Sequence, residues 1–595
     1  MSLRQEDPVL FQVLQNAFTS VAEEMTTLIQ NVAFSLVVSD GRDASSSVCT
    51  ATGDLVASGS HDIPAHIGTH PFSVKGTLAW AGKPAEEYFA PDDIVVMNDA
   101  YVGGTHNNDV RLIMPVYFEG RLSAFVANSA HWPDIGGSVP GTFDPNARSS
   151  QGEGLIIPPC HLARAGELDH ELIRFILRNV RVADTAYGDL LAQVGAVKLG
   201  ERRLCDLAAE YGSELILAAM QESIAYSEAL MREQFTAIPD GEWHAESFVD
   251  SDPGIEGSGR VGVRMRLEIS GDRATYDLSE SDGQAKGAIN GPVSCTYSAA
   301  IATTKCIFPH VPMNQGVLNA IDFVLPPGPS VVSAEYPAPI SGMAATIFPH
   351  VANCVLKTFI QVVPERCMAG PTGLINICWG GQDTRDGRND EYVCYLWLEG
   401  GWGGRAAKRD NSTAMTLFAT GARNQPIELH ERGAPLLFDC YRLEPDTGGP
   451  GRSRGSNGVT RRWTITEGDA VLSCLGDGAF EGPWGFAGGE SSPPCHFLYA
   501  AGEKVETAVG LARTGLRIEA DHMLEYHQSG GGGYGDPLER DPTWVLEDVV
   551  EGYVTIEGAR RSYGVVVTVD ERHEHTVDMG ATEAERAKLL AEWPA

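Results

Sequence analysis

Residues 95–137 read VVMNDAYVGGTHNNDVRLIMPVYFEGRLSAFVANSAHWPDIGG. Two apolar runs, Val110–Phe118 and Arg121–Asn128, flank the dipeptide Glu119-Gly120. Apolar runs of this length around a two-residue break with glycine are typical of a β-hairpin. The sequence therefore predicts two antiparallel strands joined by a tight turn.

The open end of this hairpin gathers polar side chains on a Gly-rich loop. Counting back from the turn along a regular ladder pairs residue 109 with residue 130, one place from His131. Opposed strand residues have Cβ atoms ~5 Å apart, so His131 is expected beside Asp109, with His106 a short loop away. Two imidazoles and a carboxylate suit a divalent metal. The alternative is an ordinary exposed loop, in which His and Asp are frequent.

Length and charge limit the classes of protein to which this chain can belong. A chain of 595 residues is long enough for two to four domains. Hydrophobic residues make up 43% and charged residues 21%, a balance typical of a globular protein with an ample core. A net charge of −35 repels nucleic acid and anionic membranes, so neither is expected as a partner.

The cysteines and the N-terminus indicate a cytoplasmic protein. The 12 Cys are scattered singly between Cys49 and Cys495, and no Cys-x-x-Cys pair predicts a zinc ribbon or a redox motif. Single thiols in a long chain favour a reducing compartment. The first residues contain no apolar signal-peptide core, and no apolar run reaches the ~20 residues of a membrane span.

Hydrophobic periodicity predicts an α+β, multi-domain fold. We expect an N-terminal mixed sheet carrying the hairpin (residues 1–167) and a central helical block (168–241). An α+β middle domain (242–425) and a β-rich C-terminal part (426–595) follow. Among the short elements, the apolar runs Phe34–Val38 and Ile427–Glu431 predict strands.

Three further segments are candidates for function. The segment His61–His70 holds three of the 16 His, although a polar loop before a helix would also explain them. The loop 136–161 has the length of a lid or a subunit contact, or it wraps the surface. The Gly-rich loops 400–404 and 530–536 are candidates for an interface or for the path of an intermediate. No Lys-Ser/Thr follows at the spacing of a phosphate-binding loop, so no nucleotide site is predicted.

Motifs throughout the chain resemble the B-type component of the hydantoinase/oxoprolinase family. The strongest is Asn-Asp-x-Tyr-x-Gly-Gly-Thr-His-x-x-Asp, from residue 98 to residue 109, followed by His-x-x-Asp-x-Gly-Gly from residue 131. The others are Arg42-Asp43, Ile63-Pro64-x-His66-x-Gly68, Gly188-Asp189-Leu190-x-Ala192-Gln193, Gly400-Gly401-x-Gly403-Gly404 and Asp446-x-Gly448-Gly449-Pro450-Gly451.

The resemblance implies a division of labour between two different subunits. Such B-type subunits pair with an A-type subunit that binds ATP and phosphorylates a carbonyl or amide oxygen, in a hetero-oligomer such as (AB)₂. In members that carry a metal, the B-type subunit holds it on His, Asp and His, which correspond to His106, Asp109 and His131. Ligand type leaves Zn, Mn and Fe open. The matching polar positions expected to take part in catalysis are Asp43, His66, Asp99 and Asp134.

The implied function is ATP-dependent hydrolysis of a small cyclic amide such as a hydantoin, a lactam or 5-oxoproline. A metal-activated water would attack the phosphorylated intermediate, with Asp43 or Asp134 taking the proton. The alternatives are a subunit of an acetone or acetophenone carboxylase and a metal-free scaffold subunit. Two positions depart from the family pattern. Ala44 replaces a Phe, and Trp132 replaces a second His, which predicts a less polar substrate pocket.

Overall fold

The computed structural model describes residues 3–397, 399–500 and 507–592. The first part of the chain contains six helices and seven strands: α1 (Leu3–Glu6), α2 (Pro8–Val32), α3 (Leu36–Ser39), α4 (Pro64–Ile67), α5 (His70–Ala81), α6 (Ala85–Tyr88), β1 (Ala44–Thr50), β2 (Leu55–Ser58), β3 (Ile94–Met97), β4 (Asp109–Phe118), β5 (Arg121–His131), β6 (Cys160–Arg164) and β7 (Glu167–Leu168). The strands form one sheet in the order β2-β1-β5-β4-β3-β6-β7. Every pairing is antiparallel, so the expectation of a mixed sheet is wrong. Short turns reverse the chain between β1 and β2, between β4 and β5, and between β6 and β7.

The predicted hairpin is β4 and β5, and its register differs from a regular count. Glu119 and Gly120 have φ of 52° and 82°, the positive values of a two-residue hairpin turn. Ser123 has no partner in the ladder, because the pairing shifts between Val116 and Tyr117. Asp109 therefore pairs directly with His131. Since side chains alternate between faces, this one-residue bulge puts both side chains on the same face of the sheet.

The helical block covers one face of this sheet, as predicted. It consists of α7 (His170–Arg178), α8 (Ala183–Tyr211) and α9 (Ser213–Thr236). Leu190 and Val194 of α8 pack with Leu14 of α2 and with Val110 and Leu112 of β4. Residues of α4 and α5 close the opposite face, where Ile67 and Val74 meet Val95 and Ile113. The sheet is thus enclosed between helices, and Asp109 belongs to the α4–α5 side.

The middle of the chain forms a four-stranded sheet backed by helices. Its elements are β8 (Gly241–Val249), β9 (Val261–Ser270), β10 (Arg273–Asp277), α10 (Val293–Ile307), α11 (Gln315–Asn319), β11 (Ile321–Val324) and α12 (Ile347–Phe359). The strand order is β11-β10-β9-β8, with β10 and β11 parallel. His350 of α12 bridges Ser247 and Asp477, 2.7 Å from each, and so ties this sheet to the C-terminal part.

The C-terminal part is rich in β-structure, as predicted. Its elements are β12 (Ile375–Asp383), β13 (Asp390–Trp397), β14 (Gly400–Gly401), β15 (Thr413–Ala414), α13 (Ile427–Gly433), β16 (Leu436–Leu443), β17 (Val459–Ile465), β18 (Asp469–Gly476), β19 (His496–Tyr499), β20 (Thr507–Ala508), β21 (Ala512–Glu519), β22 (Met523–His527), α14 (Pro542–Val550), α15 (Ile556–Tyr563), β23 (Val567–Val569), β24 (His575–Val577) and α16 (Met579–Glu592). A four-stranded and a five-stranded sheet share one core around Trp379 and Trp463. The domain boundaries stay a prediction.

Two predicted strands are helices. Residues 36–39 of the first run form α3, because Ser35 caps its N-terminus and Asp189 accepts the Phe34 and Ser35 amides. The second run forms α13, which begins directly after Pro426. Both runs are too short for their periodicity to distinguish helix from strand.

The Gly-rich loops pack against each other inside the protein. A Cβ on Gly401 would lie 1.8 Å from the Gly531 nitrogen, and one on Gly455 would lie 1.9 Å from the Gly531 oxygen. Only glycine permits this backbone approach, so packing explains these residues without an interface or a channel. Among the described residues, no helix has both the length and the apolar character needed to cross a bilayer.

Candidate metal centre

His106, Asp109 and His131 converge at the open end of the β4–β5 hairpin. Each offers one ligand atom, and these atoms lie within 4.8 Å of one another. A His131 ring nitrogen lies 3.2 Å from one Asp109 oxygen, and a His106 ring nitrogen lies 3.6 Å from the other. The bulge at Ser123 is the local feature that brings His131 to this face.

The cluster is buried, which corrects the expectation of an exposed loop. His106 and His131 are each 2% exposed and Asp109 is 0% exposed. Two aromatic rings from distant parts of the chain cover the imidazoles. Tyr395 of β13 stacks on His131 at 4.9 Å between ring centroids, and Phe143 of the long loop lies 5.7 Å from His106. A ligand reaching the cluster must therefore displace part of this cover.

Asp43 and His66 lie beside the cluster, where the resemblance places catalytic groups. The His66 Nε2 atom lies 3.3 Å from Asp109 and 3.7 Å from Asp43. The pairing of β1 with β5 sets Ala44 opposite Ala130, which holds Asp43 next to His131. These contacts join residues from β1, α4, β4 and β5 into one polar group.

Burial and charge shape the protonation of this group. Burial raises the pKa of Asp109, but the His106 and His66 imidazoles lower it more, so the pKa lies well below its usual range. Burial lowers the pKa of His106 to about 3, against the attraction of Asp109. Burial also raises the pKa of Asp43, opposed by His131 and His66. The cluster thus holds an ionised carboxylate beside a neutral imidazole, the protonation states that metal ligands require.

A second layer of polar side chains holds Asp109 in place. Thr105 donates a hydrogen bond to the Asp109 carboxylate. The fully buried Arg111 donates to the Thr105 hydroxyl at 3.2 Å and to Ser73 and Thr69 of the α5 region at 2.5 and 2.6 Å. Outer contacts of this kind orient metal ligands in proteins.

The structure does not bring Asp99 and Asp134 into contact with the cluster. Asp99 caps the short helix Ala100–Val102 through the Tyr101 amide. The Asp134 oxygens accept bonds from the Arg181 side chain at 2.7 Å and from the Gly136 and Gly141 amides at 2.9 and 3.1 Å. In the described part of the chain, both carboxylates therefore stabilise loop conformations by accepting backbone hydrogen bonds.

Trp132 does not reshape the site, contrary to the expectation from its departure from the family pattern. Its side chain is fully buried in the core beneath α8 and donates to Gln193 at 3.1 Å. It follows His131 in the chain and so points to the opposite face of the sheet. The aromatic side chains that do contact the site are Phe143 and Tyr395. Tyr395 lies far along the chain and carries no local signal.

Sequence reasoning did not predict a role for Ser45, and it named His70 only as one of three histidines in the segment His61–His70. The Ser45 hydroxyl lies 3.1 Å from His66 Nδ1 and 3.0 Å from His70 Nε2. The number of histidines in that short segment was the available signal, since His66 lies in α4 and His70 begins α5. The third histidine of that segment, His61, is exposed.

The donor set fits a divalent metal. Two imidazoles and a carboxylate are ligands that Zn, Mn and Fe accept. His106 Nδ1, His131 Nε2 and Asp43 Oδ1 are buried and have no hydrogen-bond partner among the described residues. Buried polar atoms without partners are costly, and a bound ion is one explanation for a cluster of them.

The sequence profile of hydantoinase B/oxoprolinase matches residues 7–537. The chain belongs to this family. The profile spans the hairpin, the helical block and both sheets of the C-terminal part, so the family assignment covers the whole site.

Two relatives are similar to this chain along their full length. Caprolactamase subunit beta of Pseudomonas jessenii is 30% identical over 591 residues, which cover 98% of this chain and 99% of that protein. The B-type component of a putative D-/L-hydantoinase of a Pseudomonas species is 29% identical over 591 residues, which cover 96% and 97%. Both relatives are named as subunits of a larger enzyme.

Two solved structures share the fold. The ATP-dependent caprolactamase from Pseudomonas jessenii superposes with a TM-score of 0.86 at 28% identity, covering 98% of this chain and 99% of that one. An acetone carboxylase in its nucleotide-free form superposes with a TM-score of 0.91, covering 99% and 84%, at 19% identity. The second likeness concerns the fold alone.

Proposed function

We propose that this chain is the B-type catalytic subunit of an ATP-dependent hydrolase of cyclic amides, such as a hydantoin, a lactam or a 5-oxoproline-like ring. The observation that carries the proposal is the buried cluster of His106, Asp109 and His131 in a full-length relative of caprolactamase and hydantoinase subunits. The proposal assigns ATP to a separate A-type subunit in a cytoplasmic hetero-oligomer such as (AB)₂.

His106, Asp109 and His131 would hold one divalent ion, Zn, Mn or Fe. Such an ion, when bound, lowers the pKa of a coordinated water towards neutrality. Thr105 and His66 keep the Asp109 carboxylate oriented, and the cover of Phe143 and Tyr395 keeps bulk water out. Exclusion of water strengthens every electrostatic contact in the site.

Asp43 is the proposed general base. One of its oxygens has no partner among the described residues, and the group lies 3.7 Å from His66. Burial raises its pKa, which makes its carboxylate a better proton acceptor than an exposed one. His66 would carry the proton onward or return it to the leaving nitrogen. Asp99 and Asp134 would contribute through the loops that they hold.

The proposed chemistry is divided between two subunits. Phosphorylation of the amide oxygen by the A-type subunit would make the amide carbon more electrophilic. Water would add to this carbon, the carbon–nitrogen bond would break as the nitrogen takes a proton, and a second water would release the phosphate to give the carboxylate. The sequence of this chain contains no phosphate-binding loop motif. The proposed task of the B-type subunit is to hydrolyse the activated carbon in a closed site.

The test is ATP turnover by the complex with its A-type partner. Phosphate release is measured with hydantoins, lactams, 5-oxoproline, acetone and acetophenone, with and without labelled bicarbonate. We expect turnover with a cyclic amide, loss of it in Asp109→Asn, and normal turnover in the control His61→Ala. Carbon fixation from bicarbonate with a ketone would instead identify a carboxylase. Full turnover by Asp109→Asn would reject the metal site and favour a scaffold role.

A further inference from the structure

Ser45 lies between two buried imidazoles behind the metal cluster. Its hydroxyl oxygen is 3.1 Å from His66 Nδ1 and 3.0 Å from His70 Nε2. Ser45 and His70 are 0% exposed and His66 is 1% exposed. Three consecutive polar groups therefore extend from Asp109 into the interior between β1 and α5, where water cannot replace any of them.

The contacts determine which nitrogen of His66 faces the carboxylates. His66 Nε2 faces two carboxylates, at 3.3 Å (Asp109) and 3.7 Å (Asp43), so this nitrogen carries hydrogen. The Ser45 hydroxyl bonds to His66 Nδ1 whether the imidazole is neutral or protonated, because a hydroxyl can donate and accept. The same hydroxyl also bonds to His70 Nε2, so two imidazoles hold it in place.

The surroundings of His70 favour its neutral form. His70 Nδ1 has no hydrogen-bond partner among the described residues. Burial lowers the pKa of His70 well below its usual value, and the positive charge of Arg111 acts in the same direction. His70 is thus a neutral partner of Ser45, supplied by the first residue of α5.

We propose that Ser45 and His70 are positioning residues that hold His66 with its Nε2–H directed at the Asp109 carboxylate. The inference rests on the proposed role of Asp109 as a metal ligand. Without the Ser45 hydroxyl, His66 Nδ1 loses its hydrogen-bond partner and the ring is free to rotate. The Asp109 oxygen that faces His66 would then keep only its hydrogen bond from Thr105.

The first test measures the affinity of the full chain for Zn²⁺ by competition with a chromophoric chelator. Losing an outer partner of a metal ligand costs ~10-fold to 100-fold in affinity. We expect Ser45→Ala to weaken Zn²⁺ binding ~10-fold and Ser45→Thr, which keeps the hydroxyl, to restore it. The matched control is Ser46→Ala on the same strand, since the buried Ser46 hydroxyl has no partner among the described residues.

The second test reads the tautomers of the metal-free chain by ¹⁵N NMR of labelled histidines. We expect His66 to carry hydrogen on Nε2, and Ser45→Ala to alter the His66 signals. This readout needs neither metal nor turnover. If the unmodified chain binds no Zn²⁺ but His66 Nε2 carries hydrogen and responds to Ser45→Ala, the proposed function fails and the positioning role stands.

The positioning role is overturned by either of two results. One is Zn²⁺ affinity in a folded Ser45→Ala protein equal to that of the unmodified chain. The other is a His66 Nε2 without hydrogen in the unmodified protein. Thermal unfolding of each variant establishes folding, and His70→Leu provides an independent variant with the same expected loss, should Ser45→Ala not fold.

Discussion

Asp109 is the side chain on which the candidate site depends most. It is in contact with His66, His106, His131 and Thr105, which come from three separate segments. A buried carboxylate is tolerated only when such partners compensate for the loss of water. The same contacts that stabilise its charge also orient it towards a cation.

His131 gives the first prediction. His131→Gln keeps most of the buried volume but removes an imidazole ligand, so we expect metal affinity to fall by at least ~100-fold and turnover to disappear. Metal content after dialysis, measured by inductively coupled plasma analysis, checks this. Ser129→Ala, on the same strand face, is the control and should keep its metal. Stoichiometric metal in His131→Gln would place the site elsewhere.

Asp134 gives the second prediction, since its contacts indicate a role in the loop that follows His131. Asp134→Asn breaks the buried pair with Arg181, which we expect to lower the free energy of unfolding by about 2 to 3 kcal/mol. Metal binding should persist. Urea unfolding compares this variant with the exposed control Asp206→Asn, which should match the unmodified protein. Loss of metal without loss of stability would instead return Asp134 to the catalytic group.

Helix α8 is joined to the sheet by polar contacts as well as by apolar packing. The buried Gln193 donates to the Val110 carbonyl at 2.8 Å and accepts from Trp132 Nε1 at 3.1 Å. Val110 follows Asp109 in β4, and Trp132 follows His131 at the end of β5. Both partners are therefore next to a residue of the metal cluster. The helix therefore supports the hairpin from the face opposite the site.

This helix gives the third prediction. Gln193→Leu removes the acceptor of the buried Trp132 N–H and the donor to the buried Asn128 side chain, and each such loss costs about 1 to 3 kcal/mol. We expect a lower melting temperature and retained metal stoichiometry. Gln221→Leu on α9 is the control, because Gln221 is exposed. An unchanged melting temperature in Gln193→Leu would show that apolar packing alone holds α8.

The complete chain gives the fourth prediction. Because the proposed function leaves ATP to the A-type subunit, the isolated chain should hydrolyse no ATP, and co-expression with that subunit should produce a complex with ATPase activity. Native mass spectrometry of the complex measures its stoichiometry, expected as (AB)₂. Robust ATP hydrolysis by the isolated chain, retained after a second purification step, would contradict this division of labour.

The local sequence pattern was sufficient to predict the hairpin, the helical block and the residues of the metal cluster. The two-residue turn at Glu119-Gly120 and the apolar runs beside it specify pairing between two consecutive strands. This pairing closes only a short loop, so its cost in chain entropy is small. The helical stripes of residues 168–236 are long enough for their period to be unambiguous. The family motifs placed His106, Asp109, His131 and His66 correctly in one region.

Other features depend on contacts that no local pattern encodes. Both faces of the sheet pack against a hydrophobic core. The register with the bulge at Ser123 fits the packing on both faces, so it is preferred over the regular register. Tyr395 reaches His131, and Arg181 reaches Asp134, only when distant segments pack together. Ser45 and His70 acquire their role in the same way. The sequence by itself determined which groups could bind a metal, whereas the packing of the layers determined which of them face one another.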